Sequence, residues 1–215
     1  MSLKYNFDEI VDRKNTDSYR WNLVNNLWED KDGLPLSTAD MDFKSPKEII
    51  DAIKQRAEHG VFGYATIPDT YYEAVINWVK KRHNWEIKKE WIICTSGVVP
   101  ALNTAILAFT DPGDSILIQT PVYPPFFSII KSNNRNLIAN QLIYNDSRYL
   151  IDFDTLEKQL SAGVKMMILC SPHNPIGRVW SYEELKLIIE LCVKNNVLIV
   201  SDEIHSDIVY SKTKH

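Results

Sequence analysis

Four short apolar runs stand out along the chain, separated by polar or helix-like segments. They occupy residues 91–94, 116–118, 166–170 and 197–200. Within each run the hydrophobic residues are consecutive and do not alternate with polar ones. This pattern is typical of strands that are covered on both faces, as in a parallel sheet. We therefore predict four buried strands.

Amphipathic helices are predicted between these runs and before them. Ser45, Pro46 and Glu48 combine an N-cap, a proline at the first helical position and the acid of a capping box. Similar openings occur at Thr70 and Ser181. The helical period predicts these inward faces: Ile49, Ile50, Ile53 and Ala57 in the first helix, Val75, Ile76 and Val79 in the second, and Leu185, Ile188, Ile189 and Cys192 in the third.

Strands that alternate with helices indicate an α/β fold, with a mainly parallel sheet between layers of helices. Residues 44–215 carry this alternation. Residues 1–43 are aromatic and polar without a sustained period, and we interpret them as an N-terminal arm or lid with a turn at residues 30–33.

The composition is that of an ordinary globular protein and excludes several other classes. Of 215 residues, 45% are hydrophobic, which argues against a disordered or fibrous chain. The chain has 24 Lys and Arg against 28 Asp and Glu, so its formal net charge is −4 and a nucleic-acid partner is not expected. Cys94, Cys170 and Cys192 form no C-x-x-C pair, so we expect buried free thiols and no metal site.

We expect neither a membrane span nor a secretion signal. Residues 91–110 carry no charge, but Ser96, Gly97 and Pro100 interrupt them, which favours a strand, a turn and a helix. The first residues lack the basic and apolar regions of a signal peptide. Together with the free cysteines, this predicts a cytoplasmic location.

Polar residues follow each apolar run, at the point where the strand is expected to end. These clusters are residues 95–99, 119–125, 171–177 and 201–205. Ligands of open parallel sheets bind beyond the carboxyl ends of the strands. The four clusters are therefore the candidate functional site.

Two of the clusters suggest an anion and a charged ring as ligands. Ser96 and Gly97 precede a predicted helix, so they could bind a phosphate, or Ser96 could cap an ordinary turn. Asp202 could ligate magnesium, keep a pyridine nitrogen protonated, or be a solvated strand-end carboxylate. The sequence contains neither a P-loop nor a G-x-G-x-x-G motif, which argues against nucleotide binding.

Four further residues each allow a functional and a structural interpretation. Tyr123, beside two prolines, could stack on a flat cofactor or simply pack its loop. Asn174 could meet a phenolic oxygen or start a turn at its Asn-Pro bond, and His205 could bind the same ligand or be structural. Tyr64 follows a G-x-x-G segment whose centre is apolar, unlike an RNA-binding loop.

Taken together, these segments resemble the pyridoxal-phosphate enzymes of the aspartate aminotransferase superfamily (fold type I, class I/II aminotransferases). Residues 171–177 resemble the S-x-x-N-P-x-G signature of that superfamily, and Asp202 matches its pyridine-nitrogen carboxylate. Within it, four segments resemble MalY/PatB-type cystathionine β-lyases, also called C–S β-lyases: residues 39–43, 62–64, 97–100 and 201–205. The resemblance runs along essentially the whole chain.

The resemblance implies a fold and a set of cofactor contacts. The fold would be the large domain of a fold type I enzyme. Seven residues would contact pyridoxal 5′-phosphate: Ser96, Gly97 and Val98 at the phosphate, Tyr123 over the ring, Asn174 and His205 at the 3′-oxygen, and Asp202 at the ring nitrogen.

The resemblance also implies a second subunit and an amino-acid substrate. Tyr64 would reach the cofactor phosphate of the neighbouring subunit, so the active unit would be a homodimer. The backbone around Ala39 and Asp40 would border the substrate carboxylate.

The implied reaction is β-elimination from cystathionine or a cysteine S-conjugate, which yields pyruvate, ammonia and a thiol. An aminotransferase of the same fold would share every one of these cofactor residues. A third interpretation, of another class, is a non-catalytic binding module.

The catalytic lysine is not assigned in this chain. The Schiff-base lysine of the family lies further beyond Asp202 than this chain extends, and Lys212 and Lys214 lack its expected Ser-x-x-Lys context. We therefore expect the rest of the large domain, and a small C-terminal domain, to lie outside these 215 residues. The segment alone is expected to be inactive.

Overall fold

A computed structural model describes residues 5–27 and 33–215 of the chain. Residues 30–32 of the expected turn lie outside the described residues. The chain divides into two compact units, Met1–Thr66 and Ile67–His215. The boundary expected between residues 43 and 44 stays a prediction.

The described part of the first unit contains helices α1 (Tyr19–Leu27) and α2 (Lys47–His59). Helix α2 ends at Gly60, whose left-handed backbone (φ 73°) suits glycine. The capping box expected at Ser45 is wrong, because Pro46 is the N-cap and no side chain caps it. Ser45 precedes that position by one residue. The inward face expected for α2 is also wrong, since none of its residues is buried.

The second unit is built from a parallel sheet, a short hairpin and five α-helices. The helices are α3 (Asp69–His83), α4 (Val98–Phe109), α5 (Pro125–Ser132), α6 (Phe153–Ser161) and α7 (Tyr182–Lys194). The strands are β1 (Ser115–Thr120), β2 (Asn136–Gln141), β3 (Ile143–Asn145), β4 (Arg148–Leu150), β5 (Val164–Cys170) and β6 (Leu198–Asp202).

The main sheet has the order β2-β1-β5-β6, and all three pairings are parallel. Strands β3 and β4 form a separate antiparallel hairpin. Successive residues of the central strands point to opposite faces of the sheet, and helices cover both faces. Helices α4 and α5 pack on the face of Ile116, Ile118, Met166 and Ile168, and helices α6 and α7 pack on the face of Leu117, Met167 and Leu169.

This layered arrangement confirms the α/β fold with a parallel sheet between helices. Three of the four predicted strands are present, as β1, β5 and β6. Ser181 begins helix α7 through the predicted capping box, accepting from the N–H of Glu184 at 3.2 Å while its own N–H donates to the Glu184 carboxylate at 2.8 Å. None of the helices in the described residues is long and apolar enough to cross a membrane.

Other expectations need correction. Residues 91–94 are not a strand: a 3-10 turn over Lys89–Trp91 passes into irregular chain that pairs with no strand. Without a neighbouring strand, Ile93 is left exposed, and Cys94 is exposed rather than buried. Ile189 of helix α7 is also exposed, because that helix buries Ile188 and Cys192 on a narrower face.

Candidate active site

The candidate site lies at the carboxyl edge of the parallel sheet. Strands β5 and β6 end side by side, with Cys170 and Asp202 as register partners. Strand β1 runs parallel to them and ends at Thr120. The polar segments that follow these three strands therefore share one edge, as the sequence predicts. Parallel strands dictate this outcome because all their carboxyl ends point the same way.

The fourth polar segment meets this edge in a cleft of about 440 Å³. Gly97 and Val98, at the start of helix α4, line the cleft together with Asp202. The backbone of Gly97 (φ 152°) lies in a region that favours glycine. No side chain caps the first turn of α4, so its N–H groups are free to bind an anion from the cleft.

Asp202 is a carboxylate held at the end of a buried strand. Its side chain is largely enclosed, with the residue 6% exposed, and its Oδ1 accepts the N–H of Ile204 at 3.1 Å. Burial raises the pKa of the neighbouring Cys170 thiol to about 11, and the charge of Asp202 acts in the same direction. The thiol is therefore protonated at neutral pH, and Cys170 is a packing residue rather than a nucleophile.

A second cleft, of about 730 Å³, brings Asn174 and His205 together. Arg148 of the hairpin and Arg178 also line it. The Arg178 guanidinium is already bound, since it contacts both carboxylate oxygens of Glu184 at 3.0 and 2.8 Å. It also lies 4.4 Å from the ring centroid of Trp180. Arg178 is thus a structural cation.

Two further candidates of the second unit, Tyr123 and Ser96, are not among the residues that line the two clefts. Tyr123 lines neither of the two clefts; its ring packs edge-on against Phe126 at 6.2 Å between centroids and stays 38% exposed. Ser96 lies just before the N-cap of α4, and no hydrogen bond of its side chain is among those described. Tyr64, in the first unit, is fully exposed.

His173 is a site residue that the sequence reasoning missed. It is 1% exposed, its Nε2 lies 2.8 Å from the Pro121 carbonyl, and its ring packs edge-on against Trp180. Burial lowers the pKa of His173, so the ring is neutral at pH 7 and one nitrogen donates to Pro121. His173 thereby joins the loop of Tyr123 to the loop of Asn174. Its place within residues 171–177, beside Asn174, was the signal that could have identified it.

Two arginines of the first unit were also missed. Arg13 and Arg20 contact the carboxylates of Asp40 and Asp42, at the segment expected to border the substrate. No motif weighed in the sequence pointed to them, because the arginines and the aspartates are 20 or more residues apart. Among the described residues, no group of His, Cys, Asp and Glu has the arrangement of a metal site.

The geometry suits a ligand with a phosphate and a basic ring. The uncapped start of helix α4 can receive the phosphate, and the enclosed Asp202 carboxylate in the same cleft can hold a protonated ring nitrogen. The carboxamide of Asn174 and the imidazole of His205, in the second cleft, are available to bind a further polar atom of the ligand. The residues present therefore fit pyridoxal phosphate.

Comparison with known proteins points in the same direction. Residues 31–215 match the family described as aminotransferase class I and II. The chain is 44% identical to cystathionine beta-lyase PatB of Bacillus subtilis (strain 168) over 211 residues, which cover 98% of this chain and 54% of that protein.

Two solved structures share the fold. Cystalysin from Treponema denticola, which contains a pyridoxal 5′-phosphate cofactor, superposes with a TM-score of 0.92 at 42% identity, covering 98% of this chain and 54% of that one. The PLP-bound C–S lyase from Staphylococcus hominis gives a TM-score of 0.90 at 35% identity, covering 100% of this chain and 55% of that one. The chain thus spans about half the length of the relatives it matches.

Proposed function

Because this chain belongs to the class I and II aminotransferase family, we propose that it forms much of the cofactor site of a pyridoxal-phosphate-dependent C–S β-lyase. The substrate would be cystathionine or a cysteine S-conjugate, and the products pyruvate, ammonia and a thiol. The observation that carries the proposal is the single cleft that holds both the uncapped start of helix α4 and the Asp202 carboxylate.

The residues of this chain would hold the cofactor at three places. Ser96, Gly97 and Val98 would bind its phosphate, chiefly through backbone N–H groups at the positive end of the α4 dipole. Asn174 and His205 would donate to its 3′-oxygen. Tyr123 would cover one face of the ring.

Asp202 would keep a proton on the pyridine nitrogen. When bound, pyridoxal phosphate withdraws electrons from the substrate Cα, and a protonated ring nitrogen strengthens that withdrawal. A carboxylate buried at the end of a packed strand keeps its position, so the proton stays on the ring without reorganisation of the site.

The rest of the proposal concerns the assembly and its surroundings. Ala39 and Asp40 would border the substrate carboxylate through their backbone. Tyr64, whose ring is fully exposed in its own unit, would reach the cofactor phosphate of a second copy in a homodimer. We place the enzyme in the cytoplasm, where its cysteines would remain reduced.

The test uses the full-length protein loaded with pyridoxal phosphate. Pyruvate release from cystathionine without any added keto acid supports the lyase. A requirement for a keto acid acceptor would instead identify an aminotransferase. Asp202→Ala should lower kcat by at least about 100-fold while the melting temperature stays nearly constant. Parallel losses of activity and stability would assign Asp202 a structural role only.

A further inference from the structure

Four charged residues of the first unit form one connected group, which we call the arginine–aspartate cluster: Arg13, Arg20, Asp40 and Asp42. The Nη1 atom of Arg13 bridges the two carboxylates, at 2.9 Å from Asp40 and 3.0 Å from Asp42. The Nη2 atom of Arg20 binds the other carboxylate oxygen of Asp42. Two cations therefore balance two anions, and the cluster as a whole is neutral.

Arg20 also binds the main chain. This side chain is nearly enclosed, with the residue 7% exposed, and its Nη1 donates to the carbonyl oxygen of Asp40 at 2.6 Å. The indole N–H of Trp21 contacts Asp42 at 3.4 Å. A guanidinium fork that holds a carboxylate and a carbonyl together fixes direction as well as distance. The cluster therefore determines the course of the backbone at residues 40–42.

Because Arg20 holds the carbonyl group of Asp40 in place, the direction of the N–H group of Met41 is set as well. The cis peptide bonds of the described residues all precede prolines, so the Asp40–Met41 bond is trans. In a planar trans peptide the N–H points opposite to the C=O. The N–H of Met41 consequently points away from Arg20. Among the described residues, the N–H groups of Ala39, Asp40 and Met41 have no hydrogen-bond acceptor.

We propose that Arg20, assisted by Arg13, is a positioning residue that directs backbone N–H groups of residues 39–41 toward the carboxylate of the amino-acid substrate. This inference rests on the proposed function, in which that segment borders the substrate carboxylate. The charge balance of the cluster supports the same role for Arg20. With both arginines present, Asp40 and Asp42 do not repel an approaching carboxylate; without Arg20, the cluster carries a net negative charge.

The experiment compares wild type, Arg20→Gln and Arg20→Lys in the full-length, cofactor-loaded enzyme. Arg20→Gln should raise the KM for the amino acid about tenfold, leave kcat within about twofold, and leave the visible spectrum of the bound cofactor unchanged. Arg20→Lys keeps the charge but loses the two-pronged guanidinium contact, so its KM should fall between those of wild type and Arg20→Gln. Lys47→Gln, which removes the exposed Lys47–Asp51 pair of the same unit, is the matched control and should behave as wild type.

Two further readouts separate positioning from general damage. A competing amino-acid analogue should bind Arg20→Gln more weakly, whereas the matching amine, which lacks the carboxylate, should bind both proteins equally. In the cofactor-free protein, amide hydrogen exchange of helix α2, whose N–H groups are hydrogen-bonded, should be the same in Arg20→Gln and wild type, which excludes general unfolding of the first unit. If Arg20→Gln does not fold, Arg13→Lys tests the same cluster by the same criteria, since Arg13 is less enclosed.

An unchanged KM, or equal weakening of the amine and the amino acid, would overturn the inference. Failure of the proposed function looks different. In that case the wild-type protein itself would bind no pyridoxal phosphate or release no pyruvate, before any variant is compared.

Discussion

Two segments expected to meet the same substrate and cofactor are held in place by opposite means. Residues 39–42 of the first unit are fixed by the arginine–aspartate cluster, in which Asp40 and Asp42 stay more than a third exposed. Residues 171–178 of the second unit, here called the His173 loop, are fixed by burial: Ser171 and His173 are enclosed, and so are the flanking Cys170 and Trp180.

The difference follows from what each unit can bury. The His173 loop continues a strand at the centre of a covered sheet, so apolar packing is available to hold it. The described residues of the first unit offer less apolar packing, since α2 buries none of its residues. A segment without a core beneath it can still be positioned by charge pairs. Such pairs respond to salt and pH, whereas packing responds to cavities and lost hydrogen bonds.

The largest expected effect concerns the thiols beside the His173 loop. Because burial raises the pKa of Cys170 to about 11, its thiolate fraction at pH 8 is about 100-fold below that of a thiol with the ordinary value of 9.0. Iodoacetamide should therefore alkylate Cys170 at least about 100-fold more slowly in the folded protein than in the urea-unfolded chain, whereas exposed Cys94 should react at similar rates in both. Mass spectrometry of tryptic peptides over time measures both rates, and comparable labelling would show that the loop is not enclosed.

Next in size is the loss of the hydrogen bond from His173 to the Pro121 carbonyl, which joins the His173 loop to the loop of Tyr123. His173→Phe keeps a ring against Trp180 but removes the donor to Pro121, which should lower the free energy of unfolding by about 1–3 kcal/mol. His173→Gln can still donate and should recover part of the loss. Exposed His59→Phe is the control. Thermal unfolding followed by circular dichroism makes the comparison, and equal melting temperatures for all four proteins would contradict it.

Acid should loosen the two segments in a fixed order. Burial lowers the pKa of His173 below its ordinary 6.5, so the stability it contributes is complete above pH 6.5 and is lost as the pH falls through the folded-state value. Burial of Asp42 would raise its pKa, but hydrogen bonds from Arg13, Trp21 and Arg20 outweigh this and lower it below 3.8. The contribution of Asp42 therefore survives until the pH falls below 3.8.

Two measurements from pH 7 to pH 3 test this order: hydrogen exchange of residues 171–178, corrected for the intrinsic rate, and the carboxyl carbon chemical shift of Asp42. Protection of residues 171–178 should decline first, as the pH falls below 6.5. The Asp42 carboxylate should stay ionised, with its ion pairs to Arg13 and Arg20 intact, down to about pH 4. The reverse order would contradict the conclusion that burial holds residues 171–178 and that ion pairs hold residues 39–42.

Salt should give the smallest effect, and it should act on only one of the two segments. Raising the salt concentration from about 0.1 to 1 M shortens the screening length from about 10 to 3 Å. The partly exposed cluster should then weaken, so that the pKa of Asp42 rises toward its ordinary 3.8, while hydrogen exchange of residues 171–178 stays unchanged. Sodium chloride and sodium acetate should act alike if screening is the cause. A change confined to residues 171–178 would refute the comparison.

Local patterns predicted the parts of the fold that depend on near neighbours. The runs at 116–118, 166–170 and 197–200 became strands because each lies between other strands or under helices, as consecutive apolar residues require. The Ser181 capping box formed because both partners lie within one turn. By contrast, the run at 91–94 is equally apolar but has no strand beside it, and it remained irregular.

The residues of the candidate site likewise fall into a group that could be predicted from the sequence and a group that could not. Placing Gly97, Val98 and Asp202 in one cleft needs only the rule that parallel strands end at a common edge. The contacts of His173 and Arg20 could not be predicted, because the first reaches a carbonyl 52 residues away and the second a carbonyl 20 residues away. Contacts between residues so far apart leave no periodic pattern in the sequence.

Local patterns in the chain account for the alternation of strands and helices, the glycine at the start of α4, and the carboxylate at the end of β6. These follow from backbone sterics, the hydrophobic period and strand direction, all of which act over a few residues. The tertiary structure alone decided which side chains hold the site in place. A hydrogen bond or ion pair between distant residues forms only after the fold has brought them together, so His173, Arg13 and Arg20 acquired their partners there.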